Sequence, residues 1–100
     1  LSNYSMTKAA IDNFVKVAAL ELAERGIRVN SVRSGMVKTS MISKERAYTP
    51  EFLEKEIAKY KLGEGKPGDV AKLVKFLISD RSKWLTGQNI MLDGGRSLYS

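Results

Sequence analysis

Two short strand-like segments, Ile27–Val32 and Gln88–Asp93, are separated by a long stretch whose periodic parts are helical. Strands joined by a helical crossover belong in a parallel sheet, because only antiparallel neighbours can be linked by a tight hairpin. Parallel sheets are stable when both faces are covered and their edges are paired, and two short strands alone leave open edges and little buried surface. The order helix-strand-helix-helix-strand therefore predicts an α/β arrangement that is incomplete on its own. The remaining sheet is expected from further sequence or from a partner chain.

The helices follow from apolar spacing. Ile11, Phe14, Val15, Ala18, Ala19 and Leu22 recur at the i, i+3, i+4, i+7 spacing that gives a helix one apolar face. They predict a helix over residues 3–25, with Ser2 or Asn3 as its cap and Gly26 ending it in a left-handed turn. Ser34-Gly35 closes the first strand, and residues 36–48 lack a clean period and read as a loop with a helical turn or two. Thr49 as cap and Pro50 at the first helical position start a second helix that runs to about Tyr60. Gly63, Gly65, Pro67 and Gly68 then break the chain. Val70, Leu73, Val74, Leu77 and Ile78 form another full stripe, predicting a helix over 68–80. Gly94-Gly95 stops the last strand.

Composition removes large classes of chemistry. With no cysteine and no histidine there is no disulfide, no thiolate nucleophile, no Ser-His-Asp relay and no ordinary zinc site. One hundred residues allow one modest domain or a part of a larger one. The net charge of +6 comes from 17 Lys and Arg against 11 Asp and Glu. Lys16, Arg28, Lys38, Lys44, Lys59, Lys72 and Lys83 are scattered among acids rather than blocked with exposed aromatics, which reads as a solvated surface and not as a nucleic-acid footprint. No apolar run approaches the roughly 20 residues that span a bilayer, and no charged start followed by an apolar core marks a secretory signal, so no membrane partner is expected and a cytoplasmic location is the default unless preceding sequence carries an address.

Tyr4 and Lys8 stand four residues apart at the head of the first helix. Residues at that spacing share a helix face with β-carbons about 6 Å apart, so their long side chains can bring a phenol and an ammonium together. Two unit charges about 5 Å apart at an effective dielectric near 20 attract by roughly 3 kcal/mol, or about two pKa units on a phenol that otherwise titrates near 10. Such a pair is equipped for proton transfer near neutrality. Taken alone the pair proves nothing: a half-buried aromatic beside a solvated lysine is the ordinary alternative. Likewise Gly35 read alone is a turn glycine and Thr39 a surface hydroxyl. Met41, Phe52, Leu53, Ile57 and Tyr60 either line a pocket or seal a core, and core is the expectation for any one of them.

Five motifs in order change that balance. They are Tyr4-x-x-x-Lys8 with Ala9-Ala10, the run Gly26 to Val32, the turn Gly35-Met36-Val37-Lys38-Thr39, Gly68-Asp69-Val70-Ala71 followed by Phe76 to Asp80, and Thr86-Gly87-Gln88-Asn89-Ile90 with Asp93-Gly94-Gly95. Over nearly its whole length the chain resembles the C-terminal part of a short-chain dehydrogenase/reductase, whose fold is a Rossmann-like doubly wound parallel sheet. The resemblance implies an oxidoreductase that transfers hydride between NAD or NADP and a small carbonyl or alcohol substrate. It implies that Tyr4 is the general acid/base and that Lys8 assists it and holds the nicotinamide ribose. Gly35, Val37 and Thr39 are implied to meet the nicotinamide carboxamide, and residues 40–62 to cover the substrate. It also implies a homo-oligomer, dimer or tetramer, through the helices at 3–25 and 68–80 and the last strand.

The chain departs from the family pattern in definite places. A glycine-rich phosphate-binding turn is absent, as are the serine expected about a dozen residues before the tyrosine and the family's upstream asparagine. Ser34-Gly35, preceded by Arg33, replaces the family's common Pro-Gly, freeing a backbone N–H and loosening the turn. The expectation is that residues 1–100 are the C-terminal portion of one dinucleotide-binding domain, inactive alone. The alternative is a non-catalytic assembly module derived from the same fold.

Overall fold

A computed structural model describes residues 3–35 and 49–98. The loop at 36–48, with Val37, Thr39 and Met41, lies outside the described residues, as does the Ser2 cap. The elements are α1 (Asn3–Leu22), β1 (Ser31–Ser34), α2 (Pro50–Ala58), α3 (Pro67–Leu77) and β2 (Asn89–Leu92), with single 3-10 turns at Ala23–Arg25, Asp80–Ser82 and Arg96–Leu98. β1 and β2 form a two-stranded sheet. Ser31 N donates to Gln88 O and Gly35 N to Leu92 O, both at 2.9 Å, so the register advances in the same direction on both strands and the pair is parallel.

Local chemistry accounts for the element ends. Gly26 adopts φ 72°, the left-handed conformation that glycine takes without steric cost. Its N–H donates to Ala23 O at 2.9 Å and that of Ile27 to Leu22 O at 3.2 Å, closing the last turn in a Schellman motif. Thr49 Oγ1 accepts from Phe52 N at 3.1 Å, with Pro50 opening α2. At the head of α3, Asp69 reaches back so that Lys66 N donates to its Oδ2 at 2.8 Å, half of a capping box.

The first strand differs from its expected span. Residues 27–30 meet the facing segment largely through side chains, because Thr86 Oγ1 accepts from Val29 N and the Asn30 side chain donates to Leu85 O and accepts from Gln88 N, all at 3.0 Å, beside one backbone bond from Gly87 N to Val29 O at 2.7 Å. The ladder therefore starts at Ser31 and runs through Ser34, which the sequence reading placed in the turn. The helix expected to reach residue 80 ends at Leu77. Ser79 is extended (φ −93°, ψ 164°), and its Oγ accepts from Arg81 N at 3.3 Å to start the next turn.

Chain contacts cluster into two compact units, Leu1–Val32 with Lys75–Ile90 and Arg33–Val74 with Met91–Ser100. In the first unit Arg28, read from sequence as solvated surface, is tied down. Its Nη1 donates to Leu77 O (2.9 Å), Ser82 O (3.1 Å) and Ser82 Oγ (2.9 Å), and its Nη2 to Ser79 O (3.2 Å). A planar cation with several fixed donors can serve this spread of carbonyls at once. Ser82 is buried.

Burial is the other departure. Val15 and Ala19 are the buried apolar residues among those described, each 4% exposed, and a Cβ added at Gly87 would stand 3.5 Å from Ala19 Cβ. Ile11 and Phe14, expected on the same covered face, are exposed, as are Val74 and Ile78 of the second stripe. The periodicity is right, but too little chain lies against these faces to bury them. The 100-residue chain alone is expected to lose structure gradually on heating, since so small a core cannot offset the entropy of ordering the chain. Calorimetry of dilute monomer checks this; a sharp two-state transition would contradict it.

In the second unit an ion pair ties α2 to the C-terminal turn. Arg96 Nε donates to Glu56 Oε1 at 3.0 Å, with Lys59 Nζ 3.6 Å from Oε2. The Arg96 bond holds the Glu56 carboxyl below its ordinary 4.5 against the opposing effect of burial. For Asp93 burial is the largest influence and raises the pKa, but amide hydrogen bonds from Ser97 and Gly95 together outweigh it and leave the carboxyl below 3.8. Depressed folded values mean that both contributions are present above the unfolded pKa and lost as pH falls through the folded one. The melting temperature of the parent protein is therefore expected to decline as pH drops below about 4.5, and Glu56→Gln to flatten that decline in a pH series of melts.

Candidate functional site

α1 contains Tyr4 and Lys8 one helical turn apart, and Lys8 is half-buried. The helix thus keeps the spacing that a phenol-ammonium pair requires. Of the three residues that the resemblance implies at the nicotinamide carboxamide, Gly35 is described, and Val37 and Thr39 lie outside the described residues.

Gly35 directly follows β1, and its N–H donates to Leu92 O. A Cβ there would stand 2.7 Å from Tyr60 Cε2, closer than real β-carbons approach, and 3.0 Å from Asp93 Cβ, so no side chain fits without displacing the Tyr60 ring. The absence of a side chain is a packing requirement at this position.

Beside Gly35, wholly within the second unit, lies a cavity of about 310 Å³. Gly35 and the run Leu92, Asp93 and Gly94 put it at the carboxyl ends of both parallel strands, where open α/β sheets bind ligands. Tyr60, Leu62 and Val70 add apolar wall, and Glu64, Asp69 and Lys72 bring charge. Asp93 is fixed by the chain that follows it: its Oδ1 accepts from Gly95 N at 3.1 Å and its Oδ2 from Ser97 N at 2.8 Å. Gly94 and Gly95 allow this turn through φ 57° and 90°.

Tyr60 is therefore a lining residue, where the sequence reading favoured core. Spacing could not reveal this, because Tyr60 lies past the end of α2 and reaches Gly35 through tertiary packing. Asp93 was legible only as part of a motif. Its role in ordering the turn after β2 comes from its hydrogen bonds. Among the described residues no cluster of His, Cys, Asp or Glu is arranged to hold a metal, and no helix is long and apolar enough to cross a membrane.

Residues 1–97 match the family model described as enoyl-(acyl carrier protein) reductase. The chain is 43% identical over 96 residues to the 3-oxoacyl-(acyl-carrier-protein) reductase of Thermotoga maritima, covering 94% of this chain and 37% of that protein. It is 40% identical over 96 residues to the cyclohexanol dehydrogenase of Acinetobacter sp., covering 94% and 36%. Among solved structures, a short-chain dehydrogenase from Leptospira borgpetersenii with bound NAD+ superposes with a TM-score of 0.79 at 38% identity, over 94% of this chain and 35% of that one. The chain thus spans little more than a third of the length of these relatives. Matched along almost all of its residues in sequence and in fold, the chain belongs to the short-chain dehydrogenase/reductase family.

Proposed function

We propose that these residues are the C-terminal portion of one dinucleotide-binding domain, and that the parent protein is an NAD- or NADP-dependent oxidoreductase acting on a small carbonyl or alcohol in the cytoplasm. The observation that carries this reading is the family match over residues 1–97, with Tyr4 and Lys8 one turn apart in α1. The relatives named above are a reductase and a dehydrogenase, which supports the reaction type and leaves the substrate open.

The described residues suit such a cofactor. By family resemblance Gly35 meets the nicotinamide carboxamide through its main chain, and Lys8 offers N–H donors for ribose hydroxyls. Val37 and Thr39 extend the same role through main chain and hydroxyl. When bound, the cofactor supplies or accepts the hydride. The Tyr4 phenol donates its proton to the carbonyl oxygen in reduction and takes it from the alcohol in oxidation, so the oxygen never carries a full unshielded charge. The Lys8 ammonium favours the phenolate and so brings that exchange toward neutral pH.

A second reading, an assembly module without chemistry, is favoured by apolar exposure on α1, where Phe14 is 68% and Leu20 79% exposed. Turnover separates the two. The parent with NADH or NADPH and a panel of ketones is expected to consume the reduced cofactor, and residues 1–100 alone are expected to show none. A parent inert toward every ketone and alcohol would leave the module reading standing.

A further inference from the structure

We propose that Tyr60 is a specificity-determining residue, its ring capping the carboxyl ends of β1 and β2 and limiting the size of the uncharged, apolar-bodied ligand held there. This rests on the oxidoreductase reading only for the identity of the ligand as substrate. Tyr60 Cε2 lies 2.7 Å from where a Cβ on Gly35 would stand, and Cδ2 lies 3.8 Å from the corresponding point on Gly94. The ring thus lies between two backbone positions that have no side chains, one after each strand.

The backbone beneath the ring is pinned. Tyr60 N donates to Ile57 O at 3.0 Å, its carbonyl accepts from Gly63 N at 2.9 Å, and Leu62 N donates to Gly94 O at 2.9 Å. These bonds fix the backbone from which the ring projects toward Gly35 and Gly94.

Two of the three lining carboxylates are held by backbone amides. Asp93 accepts amide hydrogen bonds from Gly95 and Ser97, and Asp69 accepts one from Lys66. Glu64 and Lys72 bring opposite signs. Selection then falls to shape against Tyr60, Leu62, Val70 and Leu92. At about 310 Å³ the cavity is at the small end of the range of small-molecule sites.

The test is equilibrium binding of 1-hexanol and of the bulkier 1-adamantylethanol to the parent protein, followed by NMR titration in wild type, Tyr60→Phe and Tyr60→Ala. Wild type and Tyr60→Phe are expected to prefer 1-hexanol. Tyr60→Ala is expected to shift the ratio of dissociation constants toward the bulkier alcohol by about tenfold or more. Should Tyr60→Ala fail to fold, Tyr60→Leu retains an apolar body over Gly35 and is expected to give an intermediate shift. Equal changes for both alcohols, no change, or no binding of either by wild type would overturn the proposal. Binding needs no turnover, so a parent that oxidises neither alcohol and reduces no ketone would defeat the proposed reaction while this result stood or fell separately.

Discussion

Tyr4→Phe in the parent protein is expected to lower kcat by about 10²- to 10⁴-fold, the usual contribution of a positioned general acid/base, with the melting temperature unchanged. The substitution removes one oxygen and keeps the ring, so packing is preserved while the exchangeable proton is lost. Lys8→Met is the informative partner. Without the ammonium one turn away, the pH profile of alcohol oxidation is expected to move upward by about two units, following the attraction of roughly 3 kcal/mol between charges about 5 Å apart. Steady-state rates across a pH series measure both effects. Near wild-type turnover in Tyr4→Phe would rule out the catalytic assignment.

Arg28→Ala is expected to be the most destabilising single change among the described residues, by about 2–4 kcal/mol in urea unfolding of the parent. The guanidinium donates to the carbonyls of Leu77, Ser79 and Ser82 and to the Ser82 hydroxyl. Alanine removes the one group that joins these acceptors across the fold, where α3 has just ended and where Ser82 is buried, leaving each carbonyl only its local donor. Ser82 Oγ keeps its own bond to Leu77 O at 2.9 Å, so part of the network survives. Arg28→Lys is expected to restore less than half of the loss, because an ammonium cannot span that spread of acceptors with fixed donors. A cost within about 0.5 kcal/mol of zero for Arg28→Ala would show that water replaces the guanidinium freely.

Both predictions concern residues that the sequence presented in opposite ways. Tyr4 and Lys8 were conspicuous because helical spacing converts four residues of sequence into one face of a helix, a purely local relation. Arg28 was one basic residue among many, and its acceptors lie about fifty positions away in sequence. Spacing carries no information about partners that distant. The same distinction separates Thr49, whose capping role follows from the residues next to it, from Asn30, which meets Leu85 and Gln88 across the fold.

The order of helices and strands, the left-handed turn at Gly26, the Thr49 and Pro50 helix start and the parallel sense of the sheet were all determined by the sequence, through backbone conformations and periodicities that neighbouring residues set among themselves. Tertiary structure alone decided where the ladder of β1 begins, which members of each apolar stripe are covered, and that the ring of Tyr60 rests on Gly35. Those outcomes depend on which surfaces meet, and contact between segments far apart in the chain is fixed by packing in three dimensions, which no local pattern encodes.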